Sequence, residues 1–123
     1  MSAAKQLLIV DDSETVRSVL AAAAREAGFA ITQASNGQVA LEMCASQPIH
    51  AVLSDVNMPV MDGMEFVRQL RAGGSRIPVV MVTSVAEQDK VRSMIQLGIN
   101  GYIVKPFKME AVQQALDKLQ QRA

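Results

Sequence analysis

The segment Ala51-Val-Leu-Ser-Asp55-Val-Asn-Met-Pro59 decides the fold of this chain. Its first four residues form a short, mostly apolar run that ends at an acidic residue, and Pro59 and the Asp62-Gly63 pair then interrupt it. An apolar run of this length, bounded by turn residues, predicts a buried strand over residues 51–54. Asp55 is therefore expected at the carboxyl end of that strand, which is the edge where open α/β sheets bind ligands.

Apolar runs alternate with segments of helical periodicity along the whole chain. The predicted strands cover residues 6–10, 29–34, 51–54, 77–82 and 101–104. Apolar residues at helical spacing predict five helices, within residues 16–23, 39–46, 64–70, 91–97 and 109–119. Strands that are apolar throughout, rather than alternating, indicate a parallel sheet with helices on both faces. We therefore expect residues 1–123 to form one doubly wound α/β domain.

The composition excludes several classes of function. A chain of 123 residues is long enough for one domain with a single core. Its 12 basic and 12 acidic residues balance, which argues against direct binding to nucleic acid or to an anionic membrane. The single cysteine, Cys44, fits a reducing compartment, and no apolar run approaches the roughly 20 residues of a membrane span. We expect a cytoplasmic protein.

Polar residues follow four of the predicted strands. They are Asp11 and Asp12, Asp55, Thr83 and Ser84, and Lys105. Right-handed crossovers bring the carboxyl ends of parallel strands to one edge, so these side chains should meet there. Three carboxylates in one place repel one another unless a cation lies among them, and oxygen ligands without His or Cys suit Mg²⁺. Asp12, Asp55 and the main-chain carbonyl of Asn57 could supply such ligands.

Asp55 is the candidate nucleophile of this cluster. A carboxylate can accept a phosphoryl group and form an acyl phosphate. Phosphoryl transfer depends mainly on positioning and on neutralising the charge of the phosphoryl oxygens. The ammonium of Lys105 and the hydroxyl of Thr83 or Ser84 would neutralise that charge. Pro106 is expected to fix the turn that aims Lys105, through a cis peptide bond.

These residues together resemble the receiver domain of the response-regulator family. The matching segments are Asp11-Asp12, Asp55 with Met58-Pro59 and Asp62-Gly63, Thr83-Ser84, and Lys105-Pro106-Phe107. The resemblance covers essentially the whole chain and implies a flavodoxin-like (βα)5 fold with strand order 2-1-3-4-5. It also implies that a histidine kinase or histidine phosphotransfer protein phosphorylates Asp55 in a Mg²⁺-dependent reaction. The implied metal ligands are Asp11, Asp12, Asp55 and the main-chain carbonyl of Asn57.

The resemblance further implies a conformational switch. Thr83 would move toward the phosphoryl group, and Tyr102 would rotate inward into the space that Thr83 leaves. The face formed by the fourth helix, fifth strand and fifth helix would then bind a downstream protein. Asn57 and Val85 occupy positions that tune the reaction in this family. Because Val85 is apolar, we expect slower self-hydrolysis of the phosphoryl group than with a polar residue there.

Two other functions are compatible with a strand-end aspartate. An aspartyl-phosphate phosphatase of the haloacid dehalogenase type needs a second aspartate two residues after the nucleophile, where this chain has Asn57. Such an enzyme also carries a cap insertion, for which 123 residues leave no room. A flavin-binding module would place Asp11 and Asp12 against the flavin phosphate, which they would repel. We therefore expect a signalling module without an output domain, not an enzyme.

Overall fold

The computed structural model of the protein describes residues 4–122 and contains one parallel five-stranded sheet. The strands are β1 (Gln6–Val10), β2 (Ala30–Ala34), β3 (Ala51–Asp55), β4 (Val79–Ser84) and β5 (Gly101–Lys105). They lie in the order β2-β1-β3-β4-β5, and every neighbouring pair is parallel. The flavodoxin-like fold and its strand order are therefore confirmed.

Five α-helices and one 3₁₀-helix connect and cover the strands. The α-helices are α1 (Glu14–Glu26), α2 (Gly37–Ser46), α3 (Gly63–Ala72), α4 (Val91–Gln96) and α5 (Met109–Arg122); the 3₁₀-helix spans Val85–Lys90. The side chains of Ser13, Asn36 and Asp62 each accept a backbone hydrogen bond from the first turn of the helix that follows. Such caps satisfy amide groups that have no partner within the helix, and so fix where α1, α2 and α3 begin.

The sheet is buried on both faces. Leu7 and Ile9 of β1 pack in the core layer formed with α1 and α5, whereas Leu8 and Val10 pack in the layer that contains Phe66 of α3. Successive side chains of a strand point to opposite faces, so both layers require apolar residues. The uninterrupted apolar runs in the sequence have this physical origin.

The predicted bounds of four strands are wrong by one or two residues, and β2 begins at Ala30 instead of Phe29. β4 begins at Val79 and continues to Ser84, because Pro78 has no N–H for the ladder and because Thr83 and Ser84 pair with β5. Similarly, β3 includes Asp55 and β5 includes Lys105. The polar residues are thus the last members of the ladders. Their backbones are held by the sheet, which fixes the directions of their side chains.

One segment between β3 and α3 has an unusual backbone. Val60 has a φ of 70°, and among residues 4–122 it is the only residue other than glycine with a positive φ. The N–H of Met61 donates a 2.8 Å hydrogen bond to the carbonyl oxygen of Pro59, which closes a three-residue turn around Val60. This hydrogen bond and this φ define a γ-turn of the rare, strained hand.

None of the helices within residues 4–122 combines the length and the apolar character needed to cross a membrane.

Candidate functional site

The sheet brings three carboxylates together at its carboxyl edge. Asp11 and Asp12 follow β1, and Asp55 is the last residue of the neighbouring strand β3. One carboxylate oxygen of each lies within 4.8 Å of the others. Asp11 and Asp55 are buried, with 1% and 8% of their surface exposed, whereas Asp12 is open to solvent. The cluster is therefore a recessed acidic site with one accessible member.

Lys105 supplies the positive charge of this site. Its Nζ lies 3.2 Å from Oδ2 of Asp11 and 3.4 Å from Oδ2 of Asp55, although both aspartates are distant from Lys105 in the sequence. Partial burial lowers the pKa of the Lys105 ammonium, but the two carboxylates outweigh that effect and hold its pKa above the ordinary value. The ammonium is charged at neutral pH. The bond between Lys105 and Pro106 is cis, as predicted.

Asp55 is destabilised as an anion. One oxygen, Oδ1, accepts a 2.8 Å hydrogen bond from the backbone N–H of Val56. Burial, followed by the charge of Asp11, raises the pKa of Asp55 to about 6, although Lys105 and the Val56 N–H act in the opposite direction. A single lysine thus compensates the acidic cluster only in part. An additional cation at this position would stabilise the ionised carboxylates.

The donor set fits a hard divalent cation. The ligands that the cluster can offer are all oxygens, the kind that Mg²⁺ prefers, and three carboxylates provide the charge. The one histidine, His50, precedes β3, and its Nδ1 accepts a hydrogen bond from the backbone N–H of Gln6. Cys44 lies in α2, and burial raises the pKa of its thiol to about 11. Neither residue belongs to the acidic cluster.

The predicted switch residues lie on the neighbouring strands β4 and β5. Thr83 is buried and directly follows Val82, the residue of β4 that pairs with Asp55. The Thr83 hydroxyl donates only a long 3.4 Å bond to the carbonyl of Ser84, so little holds it in place. Tyr102 of β5 is 45% exposed. Asn57 and Val85, the positions predicted to tune the reaction, are both exposed.

Two residues support the site through contacts that were not predicted from the sequence. Arg17 of α1 donates a 2.7 Å hydrogen bond from Nη1 to the carbonyl of Asp11 and so anchors the loop after β1. Gly63 allows α3 to begin directly against β3, because a Cβ at this position would lie 2.2 Å from the carbonyl oxygen of Asp55. The Asp62-Gly63 pair was a visible turn signal. Arg17 gives no such signal, because a single arginine on a helix is usually a solvated surface residue.

The 3₁₀-helix after β4 holds a buried carboxylate. Glu87 is 6% exposed, and its Oε1 accepts a 3.1 Å hydrogen bond from the hydroxyl of Ser84. Its Oε2 has no hydrogen-bond partner among residues 4–122, and the Lys90 ammonium lies 3.8 Å away. Six residues is long for a 3₁₀-helix, whose hydrogen bonds are poorer than those of an α-helix. This segment is therefore a weakly stabilised part of the fold, adjacent to Thr83.

A doubly wound sheet with three carboxylates and a lysine at its carboxyl edge defines a receiver domain. The family model for the response regulator receiver domain matches residues 7–117. The chain therefore belongs to this family of signalling modules.

The proteins to which this chain is similar include chemotaxis proteins and the receiver domain of a sensor histidine kinase. It is 37% identical over 120 residues to the chemotaxis protein CheY of Pseudomonas aeruginosa, covering 95% of this chain and 97% of that protein. The solved structure of the chemotaxis protein CheY4 of Vibrio cholerae is 32% identical, with a TM-score of 0.86 and coverage of 95% and 99%. The receiver domain of the sensor histidine kinase PA1611 from Pseudomonas aeruginosa is also 32% identical, with a TM-score of 0.83 and coverage of 95% and 98%. That domain has a magnesium ion coordinated in its active site cleft.

Replacement of Asp55 by Asn should stabilise the metal-free protein. The pKa of Asp55 is about 6 in the folded state and near 3.8 when unperturbed, so the wild type loses stability as the pH rises through this interval and Asp55 must ionise. Above that interval we expect Asp55→Asn to be more stable by about 1–2 kcal/mol, since each pKa unit corresponds to about 1.4 kcal/mol and solvent screens part of it.

Urea denaturation in the presence of a chelator, at a series of pH values, measures this difference. The exposed acidic residue Asp89 provides the matched control, because Asp89→Asn removes one charge from a residue that does not belong to the carboxylate cluster. A stability difference between wild type and Asp55→Asn that is absent, or that does not grow between pH values of about 4 and 6, would show that Asp55 is not destabilised by its neighbours.

Proposed function

We propose that this chain is a phosphorylation-activated signalling switch in which Asp55 accepts a phosphoryl group from a histidine kinase or histidine phosphotransfer protein. The observation that carries the proposal is the convergence of Asp11, Asp12 and Asp55 with the Lys105 ammonium at one sheet edge. Membership of the receiver family supports the same function. The single cysteine, which has no partner for an internal disulfide, fits a reducing compartment and favours action in the cytoplasm.

The transfer is a displacement at phosphorus. A carboxylate oxygen of Asp55 forms a bond to phosphorus while the phosphorus–nitrogen bond of a phosphohistidine breaks, and the imidazole leaves with the bonding electron pair. The Val56 N–H holds Oδ1 of Asp55, and Oδ2 faces Lys105. The Lys105 ammonium is positioned to pair with a phosphoryl oxygen, and the Thr83 hydroxyl can donate to another.

Magnesium would complete this charge balance. Asp11, Asp12, Asp55 and the main-chain carbonyl of Asn57 are the residues that would hold it. When bound, Mg²⁺ neutralises negative charge on the carboxylates and on the phosphoryl oxygens. The magnesium found in the related receiver domain of PA1611 supports this assignment.

The same event would change a distant surface. Thr83 would turn toward the phosphoryl group, and Tyr102, now half exposed, would rotate into the space that Thr83 leaves. The weakly held 3₁₀-helix joins Thr83 to α4, so it is the segment best able to rearrange. The surface formed by α4, β5 and α5 would then bind a downstream protein.

A phosphatase mechanism lacks its second carboxylate. The position two residues after Asp55 holds Asn57, whose amide cannot act as a general acid or base near neutral pH. Val85 is exposed at the other tuning position and cannot orient a water molecule. The apolar side chain of Val85 favours a long-lived acyl phosphate, and so a signal rather than turnover.

Incubation with acetyl phosphate and Mg²⁺ should add one phosphate-sized mass to the chain, as measured by intact-protein mass spectrometry. The gain should disappear in Asp55→Asn and in the presence of a chelator, and it should persist in the control Asp89→Asn. Mass gain that survives in Asp55→Asn would place the phosphoryl group elsewhere. No gain with the wild type would contradict the proposed function.

The intrinsic fluorescence of Tyr102 should report the switch. The chain contains one tyrosine and no tryptophan, so this signal comes from a single residue. We expect acrylamide to quench it less after acetyl phosphate is added, because Tyr102 moves from a 45% exposed position into the protein. Thr83→Ala should take up phosphate without this change. Equal quenching of phosphorylated and unphosphorylated wild type would show that Tyr102 does not turn inward.

A further inference from the structure

The backbone at Val60 is strained, and packing of the Val60 side chain within the folded chain does not offset this cost. A β-branched residue at positive φ is a steric outlier, because its Cβ approaches the backbone carbonyl closely. Val60 is 82% exposed and, within residues 4–122, is the most exposed of the large hydrophobic residues. Glycine or asparagine adopts this conformation more readily, and either would leave no apolar side chain in water. Val60 therefore contributes nothing evident to the stability of the isolated protein.

The turn that presents Val60 is fixed at both ends. Beyond the Met61 N–H bond to Pro59, the Met61 carbonyl accepts a 2.9 Å hydrogen bond from the N–H of Gly37 in α2. A Cβ at Gly37 would lie 2.6 Å from that carbonyl, so α2 packs directly against the turn. The surrounding structure thus holds Val60 in place despite the strain. Strain that is maintained in this way is typical of functional sites.

Val60 lies on the rim of the phosphorylation site. Its turn follows β3 and begins only a few residues after Asp55, which is itself just 8% exposed. A histidine on another protein can reach the recessed Asp55 carboxylate only if that protein covers the surrounding loops. Val85, which is 67% exposed, follows the adjacent strand β4 and adds a second aliphatic side chain at the same edge.

We infer that Val60 is a contact and specificity residue for the protein phosphodonor, and that it packs against an apolar patch beside the donor's phosphohistidine. This inference rests on the proposed phosphorylation of Asp55. It explains why an exposed valine occupies a strained turn, since its burial occurs only in the complex. A small phosphodonor such as acetyl phosphate makes no such contact.

The test compares two donors on one variant. Val60→Asn relieves the strain and removes the apolar side chain, so its denaturation midpoint should lie above that of the wild type. Its reaction with acetyl phosphate should be unchanged. The second donor is an isolated histidine-phosphotransfer domain that is phosphorylated on its histidine. With this donor, kcat/KM should fall about tenfold, because burial of one valine side chain contributes binding free energy of about that size. The loss should appear in KM, because the reacting groups are intact.

Two matched variants provide the controls. Val60→Ile keeps the apolar side chain and should transfer at close to the wild-type rate. Ile95→Asn removes an aliphatic side chain that is 57% exposed on α4 and should leave transfer unchanged.

The outcomes separate this inference from the proposed function. Equal transfer to wild type and Val60→Asn from the phosphohistidine domain would overturn the inference. Slower reaction of Val60→Asn with acetyl phosphate would also overturn it, because the turn would then act through the geometry of Asp55. If acetyl phosphate loads the wild type but no phosphohistidine domain does, the inference fails while Asp55 phosphorylation stands. Failure of both donors would overturn the proposed function itself.

Discussion

Three carboxylates and one ammonium group lie together at the carboxyl edge of the sheet, and the rest of the structure serves to keep them there. Asp11 and Asp55 are almost fully buried, where like charges repel strongly, and Lys105 at 3.2 Å and 3.4 Å compensates only part of that repulsion. The raised pKa of Asp55 measures the imbalance. Because the site has an excess of negative charge, a bound cation would stabilise it. A covalent modification that removes the charge of one carboxylate would also stabilise it.

The hydrophobic core supplies the rigidity that the site needs. Parallel strands buried on both faces fix the register of β1, β3 and β5, and each delivers its charged residue at its last ladder position or directly after it. Gly63 then lets α3 begin against the backbone of Asp55. The adjoining 3₁₀-helix is less firmly held, because Glu87 is buried with one carboxylate oxygen lacking a hydrogen bond within residues 4–122. The carboxylates of the site are therefore held rigidly, whereas the adjoining 3₁₀-helix is free to rearrange. This combination is suited to a conformational switch.

The fold and the main members of the site could be predicted because their signal is local. Asp55 and Lys105 each end an apolar run, and parallel topology then brings them to one edge. Other features depend on contacts that no local pattern encodes. Pairing with β5 extends β4 to Ser84. The positive φ at Val60 was invisible because valine normally avoids that conformation, whereas asparagine or glycine would have signalled it.

Calorimetric titration of the protein with MgCl₂ tests the central account most directly. The acidic cluster predicts one Mg²⁺ per chain, and Asp12→Asn should weaken binding by about tenfold or more, because it removes an accessible ligand without disturbing the buried core. Asp89→Asn, which removes an exposed carboxylate outside the cluster, should bind as the wild type does. Equal affinity of Asp12→Asn and wild type, or no binding to the wild type, would contradict the claim that this sheet edge is built to hold a divalent cation.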